Sequence, residues 1–422
     1  MTMNVKLSRA LCTVSFVTFC YSAAAATQCV NPGGTSGCYS TISAAVAAAA
    51  PNDTINVAMG TYHEDVIIGK SLSLIGANRN STIIDATGMA NGIYIDGIDN
   101  LGLNNVAVKG FTVQKANFEG ILVTNASTVT IVNNLVVNND KSLDVATGSC
   151  PGIPSFETSE GFDCGEGIHV MGVDHSIIAN NVSTTNSGGI LISDDTGQTH
   201  DNLILGNSVT NNPADCGITM ASHPPAALTG SAVPLGIIHN TIANNSSVHN
   251  GYNPAGSGSG VGIFGPVPGS TVSNNVIINN TITNNGLPGV AFHSHAPGQF
   301  LNDNMIIGNQ ISGNGADTED AATPGPTGIN VFGASPITGT IIAGNTLQQE
   351  SYLVVVNTPA AVDMHLNNFL DTTVGVDNLG AGTSNAVANW WNCASGPNTS
   401  GCASVGGPGI LFTPWLMQSF SY

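Results

Sequence analysis

Apolar positions along this chain come in threes. Between Gly260 and Gly286 the sequence reads GVGIFGPVPGSTVSNNVIINNTITNNG, and the β-branched runs 261–263, 276–278 and 281–283 are separated by glycine or by paired asparagines. Val, Ile and Thr favour extended backbone, and Asn tolerates the left-handed conformation of a tight corner. Strands this short do not make an ordinary sandwich, and the corner after Ile278 is too short for a parallel crossover within a flat sheet. A chain that winds as a helix of strands meets both constraints. One turn of roughly 25 residues supplies three strands, each pairing with its counterpart in the next turn.

The period is readable from Gly92 onward. A glycine followed by a β-branched residue opens most coils, at Gly92, Gly120, Gly167, Gly189, Gly217, Gly262, Gly289 and Gly328. Spacings of 22 to 28 residues are single coils, and those of 47, 45 and 39 are read as single coils carrying inserted loops, the first two long enough to hide an extra irregular coil. Asparagine pairs recur later in the coils, at 104–105, 133–134, 180–181, 244–245, 274–275 and 367–368. Their side chains are expected to bond from coil to coil as a structural ladder. Alternation along each first strand assigns Ile168, Val170, Ile190, Ile192, Ile218, Met220, Val290 and Phe292 to the interior. It sends His169, Leu191, Ser193, Thr219, Ala291 and His293 outward.

Six segments break the pattern. Residues 40–50, STISAAVAAAA, read as the single helix, capped by Ser40 or Thr41 and stopped by Pro51; it would cover the open first turn and its free edge. Insertions at 139–164, 246–259 and 313–327 follow the last strand of their coils, and one at 221–234 follows the first strand. In a solenoid such insertions emerge at fixed angles and wall a groove, so the first-strand face is where a site is sought. At the far end, Trp390, Trp391 and Trp415 accompany Cys393 and are read as closing the last coil. The resulting division is a leader at 1–26, an N-terminal cap and first strand at 27–60, the coils at 61–380, and a C-terminal coil and cap at 381–422.

Composition narrows the function. Lys6 and Arg9, the apolar stretch 10–21 and small residues up to Ala26 have the form of a secretory signal peptide. Without it, Lys70, Arg79, Lys109, Lys115 and Lys141 are the only basic residues against 26 acidic ones, a charge of about −21. That excludes nucleic acid, whose phosphates are held by Lys and Arg. It also disfavours a polyanionic sugar unless a metal mediates the contact, and leaves a neutral or weakly charged glycan as the expected partner. No later stretch is long and apolar enough to span a membrane. Cys29 with Cys38 and Cys393 with Cys402 are local disulfide candidates in an oxidising compartment. Two of Cys150, Cys164 and Cys216 remain to pair, most simply Cys150 with Cys164, although spacing alone settles no connectivity.

The whole stretch after the leader resembles a right-handed, single-stranded parallel β-helix of the pectate-lyase-like superfamily, all-β, with about 10 to 12 coils and a short capping helix. The opening SAAVAAAAPNDTINVAMGTYHEDVIIGKSLSLIG is similar to first coils of bacterial members, the Asn-rich repeats resemble those of the NosD-like group, and NWWNC…GPGILFTPWL resembles a final coil. The resemblance implies a secreted, periplasmic or surface protein that acts on or binds carbohydrate. It also admits a non-catalytic scaffold or adhesin, or a periplasmic metal-handling protein. Uronate lyases of this superfamily use an Arg or Lys base, yet there is no Arg after Arg79 and no Lys after Lys141. Of the polygalacturonase motifs only Asp194-Asp195 is present, and the arginine of pectin methylesterases is missing.

Candidate chemistry gathers on or just beyond the first strands: His169, Asp194, Asp195, His223, His293 and His295, with Glu160, Asp163 and Glu166 from the adjoining loop. Coils stack at about 4.8 Å, so residues two coils apart lie about 10 Å apart, a spacing at which two carboxylates flank a glycosidic bond. In a hydrolytic reading Asp194 or Asp195 is acid or nucleophile, Glu166 its partner, and His223 orients a hydroxyl or shares the proton. In a metal reading His293-x-His295, with His223 and one carboxylate, suits zinc or copper. Asp317, Glu319 and Asp320 are the candidate calcium ligands, stabilising a loop. The sequence calls for no organic cofactor.

Overall fold

The computed structural model describes residues 25–157, 164–254 and 256–421. Most of the expected leader, residue 255 and the loop positions Glu160 and Asp163 lie outside the described residues. Parallel pairing of every strand with its equivalent one coil on builds a β-helix. The first strands form a 12-stranded sheet, the second a 14-stranded sheet and the third an 11-stranded sheet. A three-stranded sheet of two-residue strands, Thr199–His200, Ile237–Ile238 and Val272–Ser273, adds a fourth side to part of the stack. Such short strands carry no periodicity and are not visible in the pattern of apolar positions.

The wide intervals are single coils. Among the described residues, only Leu135–Val137 and an inserted loop lie between Thr130–Val132 and Glu166–Met171. Residues 246–248 belong to the third strand Ser246–Val248, so the insertion there starts later than expected. Thr41 caps the helix Ile42–Ala48, its Oγ1 accepting the Ala44 N–H. The Glu64 carboxylate accepts the Ile42 and Ser43 N–H groups, both at 2.8 Å. Ile42, Ala45 and Val46 face inward and join the core. An unexpected strand, Thr27–Val30, pairs with Asp53–Val57, and Cys29–Cys38 fastens it. Cys150–Cys164 and Cys393–Cys402 also form, leaving Cys216 as a free thiol. Trp391 is fully buried against Phe369 and closes the last coil.

One apolar column runs the length of the stack and contains every residue assigned to the interior above. Corner asparagines form three ladders beside it. The longest runs Asn134, Asn181, Asn207, Asn245, Asn280, Asn309, Asn345, Asn367, Asn389, each amide donating to the next side-chain oxygen at 2.9–3.1 Å. The preceding residues Asn133, Asn180 and Asn244 take the left-handed backbone that lets the corner turn. Asn104 and Asn105 belong to no ladder and bond to each other near the surface. The outward residues of the first strands differ from expectation in one respect: His169, Leu191, Ser193, Thr219, Ala291 and His293 are all buried. They point away from the core, but the inserted loops lie over them.

Candidate metal centre

In-register pairing carries two outward columns across this covered face. One passes through Tyr94, Leu122, His169, Leu191, Thr219, Gly262 and Ala291. The other passes through Thr124, Met171, Ser193, Ala221, Phe264, His293 and Phe332. The expected site residues sort along these columns into three groups rather than one cleft.

The first group holds His169. Its Nε2 lies 2.8 Å from Ser193 Oγ and its Nδ1 lies 3.4 Å from Glu119 Oε1. Glu119 escaped the sequence reading although the signal was present: it opens Glu-Gly-Ile at 119–121, the tripeptide that Glu166 opens at 166–168. Glu166 is buried one coil further on, beside Gly188. A Cβ on Gly188 would stand 2.9 Å from the Glu166 carboxylate, so glycine there makes room for the acid.

The second group is Asp194, Asp195 and His223. Asp194 Oδ1 accepts the His223 N–H at 2.8 Å, and its Oδ2 accepts Ser222 Oγ–H at 2.9 Å and the Gly236 N–H. This one carboxylate therefore pins both ends of the 221–236 insertion to the coil. Burial lifts its pKa to about 6, against the pull of the donors around it. Asp195 Oδ2 holds His223 Nδ1 at 3.0 Å, which ties that ring to its own coil and away from the other histidines.

In the third group a strand, the residue beyond it and an insertion converge on a single point. His293 and His295 stack, ring centroids 4.0 Å apart and planes 24° from parallel. Phe264 and Phe332, one coil to either side, meet the His293 ring edge-on. The 313–327 insertion then brings two acids. Asp317 Oδ2 lies 3.2 Å from His293 Nδ1, and Glu319 offers a carboxylate oxygen such that one donor atom from each of His293, His295 and Glu319 lies within 4.8 Å of the others. Thr323 braces the loop, its N–H donating to the Asp317 carbonyl at 2.8 Å, and Asp317 Oδ1 accepts the Glu319 N–H at 3.1 Å. Asp317 and Glu319, read from the sequence as candidate calcium ligands, lie beside the histidines; the Asp320 side chain lies outside the described set.

Two imidazoles and a carboxylate, with a second carboxylate on the Nδ1 of one ring, fit a borderline divalent transition metal. His293 is buried, His295 half-buried and Glu319 exposed, so the group opens to solvent on one side. Beside it lies a cleft of about 200 Å³ lined by Asp215, Thr219, Gly262, Phe264, His293 and Glu319 among others. Gly262 keeps its floor low, since a Cβ there would stand 3.2 Å from Cys216 Sγ. Cys216 itself is no thiolate ligand: burial pushes its thiol up to about 12, and its sulfur accepts the Ser259 N–H at 3.1 Å.

Comparison with known proteins agrees on the architecture. The DFA-IIIase of Arthrobacter chlorophenolicus A6, solved without its lid in complex with GF2, superposes over 92% of this chain and 100% of its own, with a TM-score of 0.57 at 12% identity. An alginate lyase from Paenibacillus sp. str. FPU-7 covers 90% of this chain and 99% of its own at TM-score 0.48 and 12% identity. The AlgE6 A-module of an Azotobacter vinelandii mannuronan C-5 epimerase covers 89% and 94% at TM-score 0.46 and 17% identity. At such identities the likeness is one of fold, and only the first is close enough to bear on it. A search of curated proteins finds no match. Among the described residues no helix is long and apolar enough to cross a membrane. The family model described as periplasmic copper-binding protein (NosD) matches residues 44–260 and, overlapping them, 155–401, and the chain belongs to that family.

Proposed function

We propose that this is a copper-binding protein of an oxidising, extracytoplasmic compartment, with His293, His295 and Glu319 as the ligands. The observation that carries the reading is the meeting of two stacked imidazoles, one on the strand Val290–Ser294 and one just beyond it, with a carboxylate from the 313–327 insertion. Copper(II) takes imidazole nitrogen and carboxylate oxygen, and it binds more tightly than the other common divalent ions of its row. With the Asp317 carboxylate 3.2 Å from its Nδ1, the His293 ring would present Nε2 as its donor atom, the second-sphere arrangement usual for a metal-bound histidine. The flanking Phe264 and Phe332 hold the ring upright. Disulfides at both ends and in the longest insertion suit the compartment.

Glycan hydrolysis at Asp194, Asp195 and His223 is the weaker reading. Asp194 spends its carboxylate on three donors that hold a loop, and Asp195 is spent on the His223 ring. The adjoining cleft instead suits a small ligand that completes the metal's coordination. The test is titration of chelator-treated protein with Cu(II), read by electron paramagnetic resonance. One copper per chain with hyperfine splitting from two nitrogens is expected, and splitting and tight binding should both disappear in His293→Ala and His295→Ala. Equal affinity in wild type and both variants would overturn the assignment.

A further inference from the structure

Under the loop closed by Cys150–Cys164 the same covered face carries a second, unlike cluster. Glu119 and Glu157 each place a carboxylate oxygen, and His169 a ring nitrogen, within 4.8 Å of one another. Glu119 is fully buried, and its Oε2 makes no hydrogen bond among the described residues. Its Oε1 fares little better: 3.4 Å to His169 Nδ1 is well beyond the roughly 2.7–2.9 Å of a charge-assisted hydrogen bond. A buried carboxylate with one bare oxygen and a second carboxylate as neighbour needs positive charge from outside the chain.

We infer that Glu119, Glu157 and His169 bind a divalent cation of the zinc or manganese kind, at a site separate from the histidine pair. The spacing fits: two donors at about 2.1 Å on a tetrahedral ion lie about 3.4 Å apart, which is the Glu119–His169 separation. The second sphere is in place, because Ser193 Oγ at 2.8 Å from His169 Nε2 fixes the ring orientation. The lid over the site is held as well. Phe156, next to Glu157, stacks on Tyr94 with centroids 6.4 Å apart, and Tyr94 is anchored through its hydroxyl to Asp96 and Thr124 at 3.0 and 3.1 Å. Two carboxylates and one imidazole make a harder donor set than two imidazoles and one carboxylate, so this site favours zinc or manganese where the other favours copper. The cation would fasten Glu157 to two successive coils.

The two sites are separated experimentally by working in the His293→Ala, His295→Ala double variant. After chelator treatment the full chain is titrated with Zn²⁺ alone and with Mn²⁺ alone, following heat of binding and metal content. The double variant should keep one ion per chain and gain thermal stability on loading. Adding Glu119→Gln should weaken binding at least 100-fold, Glu157→Gln at least 10-fold, and both should abolish the stabilisation. Glu157 sits on the loop, so its variant tests the site even if Glu119→Gln impairs folding. Absence of Zn²⁺ and Mn²⁺ binding in the double variant, or unchanged binding in Glu157→Gln, would overturn the inference. Neither result depends on whether copper binds at the histidine pair.

Discussion

The stack buries polar side chains in two regions, and it treats them in opposite ways. At the corners they are neutral amides. Each asparagine of the longest ladder up to Asn367 accepts from the coil before and donates to the coil after, so donors and acceptors cancel along the row. Beneath the insertions of the first-strand face they are charged or titratable: Glu119, Glu166, His169, Asp194, Asp195, His223, His293 and Asp317 are all buried. A neutral ladder is self-sufficient and repeats wherever a coil repeats. A buried charge needs a particular partner, and the buried acids under the loops have partners of different kinds: a loop's N–H groups for Asp194, an imidazole for Asp195 and Asp317, and in our proposal a metal ion for Glu119. The corner therefore builds the stack, and the face under the loops is where it is specialised.

If that division is right, damage at a corner should cost stability and leave binding alone. Asn245 is the sharpest place to test it. Its Oδ1 accepts both Asn207 N–H groups, at 2.8 and 3.0 Å, and its amide donates to Ile204 O and Asn280 Oδ1 at 2.9 and 3.0 Å. Asn245→Leu strands these groups in the interior, where each lost partner costs about 1–3 kcal/mol. A loss of about 4 kcal/mol or more is expected in thermal or urea denaturation, with unchanged copper stoichiometry in the folded fraction.

The converse holds at the histidine pair. His293→Ala should lower copper affinity at least 100-fold while shifting the midpoint of the metal-free protein by less than half of the Asn245→Leu effect. Asp317→Asn leaves all first ligands in place and removes only the carboxylate behind His293. Second-sphere changes of this kind cost about 10–100-fold in affinity, so a smaller loss than in His293→Ala is expected by isothermal titration. Should Asp317→Asn destabilise the metal-free protein as strongly as Asn245→Leu does, the acid belongs with the corner residues and the division fails at that point.

How far the sequence reveals each region follows from the same contrast. The coils were legible because their signals are local and repeated: β-branched triplets, Asn corners and Gly-led first strands recur until register is forced. His293 and His295 stood out as a pair two residues apart at the end of one strand. Glu319 as their partner was not legible, because which face an insertion folds back over is a long-range outcome. Asp194 looked like a catalytic acid for the same reason, since the donors that occupy it come from residues 222, 223 and 236. Alternation gave the direction of the outward residues correctly but not their burial, which the loops decide. Glu119 is the exception, a residue that its own repeated tripeptide already marked.

The two regions meet at Glu350, and that residue sets the subtlest test. A ladder running Asn139, Asn186, Asn212, Asn250, Asn285 and Asn314 ends on it, with Asn314 N and Nδ2 donating to Glu350 Oε1 at 2.9 and 3.0 Å. Here a carboxylate takes an amide's place. Its Oε2 makes no hydrogen bond among the described residues. Burial raises its pKa to about 7 despite the Asn314 bonds, and the nearby Asp371 adds to the rise. A folded-state pKa above the unfolded value means that the native state holds the proton more tightly. Glu350 thus favours folding below about pH 4.5 and loses that contribution as the pH rises through about 7. Glu350→Gln keeps an oxygen for Asn314 and removes the charge. The variant and the wild type should be equally stable near pH 4, and the variant more stable at pH 8 by on the order of 2 kcal/mol. Asp65 and Asp194 are shifted the same way, to about 6, but they are common to both proteins and cancel in the difference. A difference that stays flat between pH 4 and 8 would mean that the ladder accommodates a charge as readily as an amide. The corner could then no longer be described as a region that excludes charge.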